Sequence, residues 1–537
     1  AGVAILSAST AIHHLRSANF TGGVNTALTT TAAQRVASTM GMAIFAGADI
    51  TGDMIDSSMS AVGSNLSTTA LHPSSTLGMV TYSSSGRTTC AINDTAFTAT
   101  GCSLRTTATS DSGVAALGVS VVGNPTAATS TVVTASGVTL AATRTDITST
   151  APTTGGNAVG SLGLAVFCGS GSGSAVRGRN INVAANAVNV SMTGAGVVIA
   201  FGVGAQCTGQ ISSDLTDFSI ALASVDALVA AGTAAGTGAM IVVSSSSCSH
   251  RMQRFRGGAT SCHLVTQASQ RVASTMGVAI YAGADITGDM IDSSMSAVGS
   301  NLSTTALHPS STLGMVTYSS SGRTTCAIND TAFTATGCSL RTTATSDSGV
   351  AALGVSVVGN PTAATSTVVT ASGVTLAATR TDITSTAPNT GGNAVGSLGL
   401  AIFCGSGSGS ILYGRAIRIN AHSVGMNATA DTLLVAFGFG AQGVGPVASD
   451  LTDVSITVNT VTSVLVARNA VAAVACVVVS SSSVSHRMTS VSITCTNCVM
   501  TNRADQASVV GVTLFAPAVD SEIIGLFLAA LRTQLQT

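Results

Sequence analysis

The sequence contains no lysine, no tryptophan and a single glutamate, Glu522. Charged residues make up only 8% of the 537 positions and aromatics 3%. A globular surface carries about a quarter charged residues, so serine, threonine, asparagine and glycine must keep this one wet. A formal net charge of −1 creates no field to gather polyanions, which argues against nucleic-acid binding. No apolar run reaches the roughly 18 residues that span a bilayer. The chain opens on Ala1 with no basic-then-apolar leader, as a mature product or a fragment would. Disorder is excluded by what is abundant: 45% of the residues are hydrophobic, and disordered chains lack such residues.

What is there is a vocabulary of strands and turns, with Val, Thr, Ile and Ser in place of charged helix formers. The chain also repeats itself. Residues 33–174 superimpose on 269–410 almost without change, an offset of 236. Inside this long duplication runs a shorter period. Apolar stretches begin at Val3, Met42, Met79, Val119, Leu164, Val198 and Met240, then at Val278 in the second copy, and Cys476 and Val512 near the end. The intervals are 34 to 45 residues, which gives fourteen starts. Between them lie alternating stretches such as Phe218-Ser-Ile220-Ala-Leu222 and Val491-Ser-Ile493-Thr-Cys495. Period two marks a strand with one buried and one wet face.

A unit of about 40 residues with two or three short strands cannot bury its own apolar face, but a stack of such units can. The expected fold is therefore all-β: a parallel β-helix of about fourteen coils. Propeller blades share the period, but the duplication holds six units where a ring would want seven, and aromatic blade signatures are missing. Leucine-rich horseshoes need Leu and Asn at fixed offsets that this chain lacks. The expected organisation is an uncapped N-terminal coil over 1–33, a six-coil repeat over 34–269, a second over 270–505, and a last coil with a helical cap over 506–537. The helix is read from Ile523, Ile524, Phe527, Leu528, Leu531 and Leu535, which recur at helical spacing. Open coil ends expose unpaired backbone groups, so head-to-tail self-association is the expected partner chemistry.

Twelve cysteines without zinc spacing suggest disulfides and an oxidising compartment. Candidate pairs are Cys90 with Cys102, Cys326 with Cys338, and Cys207 with Cys248, the last 41 residues apart. Buried free thiols are the alternative. Cys495 and Cys498 read as structural. Seven sequons, at Asn19, Asn65, Asn93, Asn189, Asn301, Asn329 and Asn427, are candidate N-glycosylation sites. Sugars there would supply the solubility that charges do not.

An active site on such a fold needs converging carboxylates, often with arginine. Asp49, Asp53 and Asp56, repeated as Asp285, Asp289 and Asp292, form the densest acidic cluster. They suit a calcium or sugar site, or equally a set of turns. Asp214 with Asp217 and Asp450 with Asp453 read the same way, and His250 and His486 stand without a nucleophile or metal pattern nearby. No catalytic residue, metal or cofactor is expected.

The repeated D-[LV]-T-D-[FV]-S-I unit at Asp214 and Asp450, the Ser/Thr/Val/Ala-rich strands and the missing lysine resemble one kind of protein. These are the large pectate-lyase-like β-helix surface glycoproteins of protists, of the dispersed gene family type. The resemblance implies an extracellular or cell-surface protein with a structural or adhesive role, and it equally suits the protomer of a glycosylated fibril. A carbohydrate-binding or carbohydrate-cleaving β-helix is the alternative.

Overall fold

A computed structural model describes residues 2–22, 24–33, 36–71, 74–109, 114–124, 127–151, 159–308, 310–345, 349–360, 363, 365–387, 393–407, 409–431, 433–467, 471–504 and 506–536. The chain divides into two units, Ala1–Ser269 and Gln270–Thr537. The fold is an all-β parallel β-solenoid of about 12 turns, with no helix among the described residues.

Each unit is built from three kinds of strand. Sheet A of the first unit stacks Gly2–Ser7, Ala37–Ala46, Ser74–Ser83, Val114–Gly123, Val159–Cys168, Val197–Cys207 and Ala234–Ser244, all parallel. These are the continuous apolar runs of the sequence. Nearly every residue of Ala234–Ser244 and Ser310–Ser319 is buried, as a strand covered on both faces requires. Sheets B and C hold the alternating stretches, for example Ile211–Ala223 in sheet B and Asp226–Ala231 in sheet C. Ile211–Ala223 buries Leu215, Phe218, Ile220 and Leu222 and turns the residues between them outward. Each coil lays its inward side chain on the same position of the next, so Phe218 packs on Phe255 with ring centroids 5.3 Å apart. A fully buried aliphatic or aromatic side chain contributes about 1.5–3 kcal/mol, and the column repeats that gain at every step.

Val3, Met42, Met79, Val119 and Leu164 do line one wall. The next in that line is Val203, not Val198. Val198 lies earlier in the same strand, because the apolar stretch there is long and hydropathy alone leaves its register open. Likewise Cys476 faces Gly511, and it is Val477 that faces Val512.

Backbone geometry recurs as strictly as side chains. In sheet A a glycine kinks each of several strands: Gly41, Gly78, Gly118 and Gly202 hold φ between +134° and +158°. A β-carbon on Gly118 would lie 2.2 Å from the carbonyl oxygen of Gly163 in the next coil, so the close approach admits only glycine. At the turn from sheet B to sheet C, a left-handed residue is followed by a small hydrogen-bonding one. Gly63-Ser64, Gly101-Cys102, Arg144-Thr145 and Gly337-Cys338 share this form. The second residue donates back to the carbonyl two places earlier, Ser64 to Val62 at 2.9 Å and Thr145 to Thr143 at 2.9 Å. This satisfies a carbonyl that the bend has freed.

The expected C-terminal helix is a strand. Val519–Leu531 pairs in parallel with Val484–Thr496, Ile523 opposite Met488 and Leu528 opposite Ile493. Its residues satisfy a helical apolar period and a strand ladder alike, and the backbone bonds offered by the preceding coil decide for the strand. Gly525, at φ +67°, takes the left-handed place held by Asp217 in the equivalent strand and would cost about 1 kcal/mol in a helix.

Candidate functional site

The outward face of sheet B carries columns of ionisable side chains. One column runs His14, Asp53, Ala91, Thr134, Arg177, Asp214 and Arg251 in the first unit. The equivalent column of the second runs Asp289, Ala327, Thr370, Tyr413, Asp450, Arg487 and Glu522. His14 Nδ1 meets Asp53 Oδ2 at 2.7 Å, and Arg487 Nε meets Glu522 Oε2 at 3.0 Å. Beside each column lies a shallow hollow floored by a glycine. Gly178 with Arg177, Arg179 and Asp214 lines one of about 380 Å³. Gly414 with Tyr413, Arg415 and Asp450 lines its counterpart of about 350 Å³. Arginine, carboxylate and, in the second, an aromatic ring on an open hollow form a set that can hydrogen-bond and stack on a sugar.

The acidic cluster is not brought together. Asp49 Oδ1 accepts the backbone N–H of Arg87 in a turn at 2.7 Å, Asp53 lies on the sheet, and Asp56 bends the chain at φ +49°. Asp285 repeats the turn bond to Arg323 at 2.8 Å, and Asp292 the bend at φ +50°. Among the described residues no group of three His, Cys, Asp or Glu is placed to hold a metal ion. Asp217 also occupies a left-handed position, and Arg254 grips it at 2.5 and 2.8 Å. That hydrogen bond and charge hold its carboxyl below the usual carboxylate range.

The sequence reading missed a buried pair. Ser213 Oγ lies 2.5 Å from His250 Nδ1, and Ser449 Oγ lies 2.6 Å from His486 Nδ1. All four residues are buried. Burial lowers the His250 pKa to about 4 and also lowers that of His486, so both rings are neutral at pH 7. Each leaves Nε2 without a partner. A serine nucleophile must reach a substrate, and these hydroxyls are sealed in the core. Period-two reading of Ile211-Ser-Ser213 and Cys248-Ser-His250 could have placed both side chains inward.

The cysteines are rearranged relative to expectation. Among the described residues the bridge joins Cys168 to Cys207, register partners in neighbouring coils with Cα atoms 4.5 Å apart. Cys207 does not reach Cys248, because its partner in the next coil is Ser244 and Cys248 lies on sheet B. Cys90 and Cys102, like Cys326 and Cys338, are free. Cys90 sits in the core of sheet B, whereas Cys102 occupies the turn position held elsewhere by serine or threonine. Burial pushes the Cys90 and Cys326 thiols up to about 12, so they are unreactive. In the second unit the register partner of Cys404 is Gly443, which offers no thiol.

No family model, curated protein or solved structure matches the chain.

All seven sequon asparagines lie on strands in outward positions. Asn19, Asn65, Asn189, Asn301 and Asn427 are exposed, while Asn93 and Asn329 are partly covered. Asn65 and Asn189 belong to one column at the leading edge of sheet C, with Ser103 and Asp146 between them. Asn189 Nδ2 donates to Asp146 Oδ1 at 2.7 Å. The last described coil is the other conspicuous surface. Phe515, Val519, Ile523, Ile524, Phe527, Leu528 and Leu531 are between 42% and 59% exposed. No helix of the described residues is long and apolar enough to cross a membrane.

Proposed function

We propose that the protein is a structural or adhesive extracellular β-solenoid, a protomer of a glycosylated surface fibril that assembles end to end. The parallel stacking carries this reading, because strands that pair coil upon coil in one register can continue from one copy to the next. Outward sequon asparagines, the scarcity of charge and the Cys168–Cys207 bridge support an oxidising, glycan-bearing surface. The resemblance to protist surface glycoproteins belongs to the same proposal, as does a count of fourteen coils, which the seven sheet A strands described in each unit support. Electron micrographs of the purified chain test it. Continuous fibres, with hexose additions on sequon peptides, are expected; isolated particles with bare asparagines would overturn it.

The repeated Arg–Asp hollows favour a second reading, a carbohydrate-binding or carbohydrate-cleaving β-helix. It predicts that soluble oligosaccharides bind the chain and that Arg415→Ala with Asp450→Ala abolishes binding.

A further inference from the structure

Resting on the carbohydrate-binding reading, we propose that the two sheet B hollows have parted in specificity. The hollow of the first unit holds an anionic sugar, its counterpart in the second unit holds an uncharged one, and Arg177 against Tyr413 decides which.

The two hollows are built alike. Seven of their eight lining positions carry the same residue, with Arg179, Asp214 and Thr216 answering to Arg415, Asp450 and Thr452; the eighth is Arg177 in one and Tyr413 in the other. This likeness persists where the copies have otherwise drifted apart. Ser174–Asn186 and Ser410–His422 differ at eight of 13 positions, and of the six exposed side chains on Ser174–Asn186 only Arg179 is matched, by Arg415. In the following strand Asp214-Leu215-Thr216 recurs unchanged as Asp450-Leu451-Thr452. Exposed polar residues that stay fixed while their neighbours change mark a binding surface. The charged groups are also uncommitted. Arg177, Arg179, Asp214, Arg415 and Asp450 form no ion pair among the described residues, whereas Arg254 takes Asp217 and Arg487 takes Glu522.

One rung separates the chemistry of the two. Arg177 and Arg179 stand on the same face of one strand, about 6.6 Å apart, with Asp214 opposite Arg177 and Thr216 opposite Arg179 in the next coil. Two guanidiniums against one carboxylate leave an excess of positive charge, and the guanidinium fork matches the oxygens of a carboxylate or a sulfate ester. Asp214 as acceptor and Thr216 as donor or acceptor are left for sugar hydroxyls. In the second unit the charges of Arg415 and Asp450 balance. Tyr413, opposite Asp450 and 44% exposed, offers a ring face to the apolar side of an uncharged pyranose.

Calorimetric titration of the full chain with three tetrasaccharides tests the split: a uronate, a sulfated glucan and the uncharged glucan. The chain should bind one equivalent of an anionic tetrasaccharide, and the tighter of the two anionic ligands identifies the substituent. It should also bind one equivalent of the uncharged glucan, so that Arg415→Ala with Asp450→Ala abolishes binding of the uncharged sugar alone. Raising sodium chloride from about 0.05 to 0.5 M should weaken the anionic ligand at least about fivefold and the uncharged one less than about twofold. Arg177→Tyr should weaken the anionic ligand at least about tenfold, the loss of one charge-assisted contact, and admit a second equivalent of the uncharged glucan. Tyr413→Arg should do the reverse. Both positions are exposed, and each residue already stands at its place in the sister strand, so the variants should keep the circular dichroism of the parent. Arg177→Gln, which removes the charge with less disturbance, should show the same anionic loss. If both hollows take the same ligand, or if the exchanges leave the preferences unchanged, the split is overturned and the carbohydrate-binding reading stands. If none of the three tetrasaccharides binds, both are overturned.

Discussion

At the scale of single residues, the core stores polarity in a form that acid can attack. His250 is fully buried, and its folded pKa of about 4 lies below the value of 6.5 for a free imidazole. The unfolded chain therefore takes up the proton first. No stability is lost above pH 6.5, and it falls progressively as the pH drops toward 4, by roughly 3 kcal/mol for this one ring. His486 shifts in the same direction from the same desolvation. Urea midpoints at pH 7.5 and 4.5 measure the effect, and His250→Asn should make the fall smaller. An equal fall in the variant would show the ring to be uninvolved. Cysteine at the sheet B–C turn makes the opposite case, a reactive type used as a hydroxyl substitute. Cys102 Sγ donates to the carbonyl of Thr100 at 3.4 Å, as Ser64 does to Val62. Cys102→Ser should leave stability within about 0.5 kcal/mol, while Cys102→Val should cost about 1–2 kcal/mol by orphaning that carbonyl. Peptide mapping of the oxidised protein should find no Cys90–Cys102 crosslink.

At the scale of strands, spacing between coils is set by backbone contact, not only by side-chain volume. Gly118 pairs a left-handed φ of +136° with a carbonyl that a β-carbon would strike. Gly511 has the same φ without the clash. In thermal unfolding of the unassembled chain, Gly118→Ala should cost at least about 3 kcal/mol and Gly511→Ala no more than about 2. Equal losses would mean that φ strain alone sets the cost. The same scale explains the misread C-terminus. Apolar residues at 523, 524, 527, 528 and 531 fit a helix stripe, yet Ile523 and Leu528 are also inward rungs, opposite buried Met488 and Ile493, and a neighbouring strand offers hydrogen bonds along its whole length. Local periodicity cannot weigh a partner that lies 35 residues back in sequence, as Val484 does from Val519.

At the scale of the molecule, cohesion is apolar and hydrogen-bonded, with little contribution from charge. The described ion pairs sit on partly exposed side chains, where each contributes about 0–1 kcal/mol. The melting temperature should therefore move by less than about 2 °C between 0.05 and 0.5 M sodium chloride. A larger shift would show that the charged columns of sheet B bind the coils together.

What the sequence determined by itself is the architecture: strand type, parallel stacking and the wall through Val3, Met42 and Met79 follow from apolar period and repeat length, which are local properties written several times over. The exact rung at Val203, the Cys168–Cys207 bridge, the Ser213–His250 pair and the strand at the C-terminus were decided only in three dimensions. Each depends on which residue of one coil lies over which residue of the next, and turns of unequal length hide that correspondence from anyone counting along the chain.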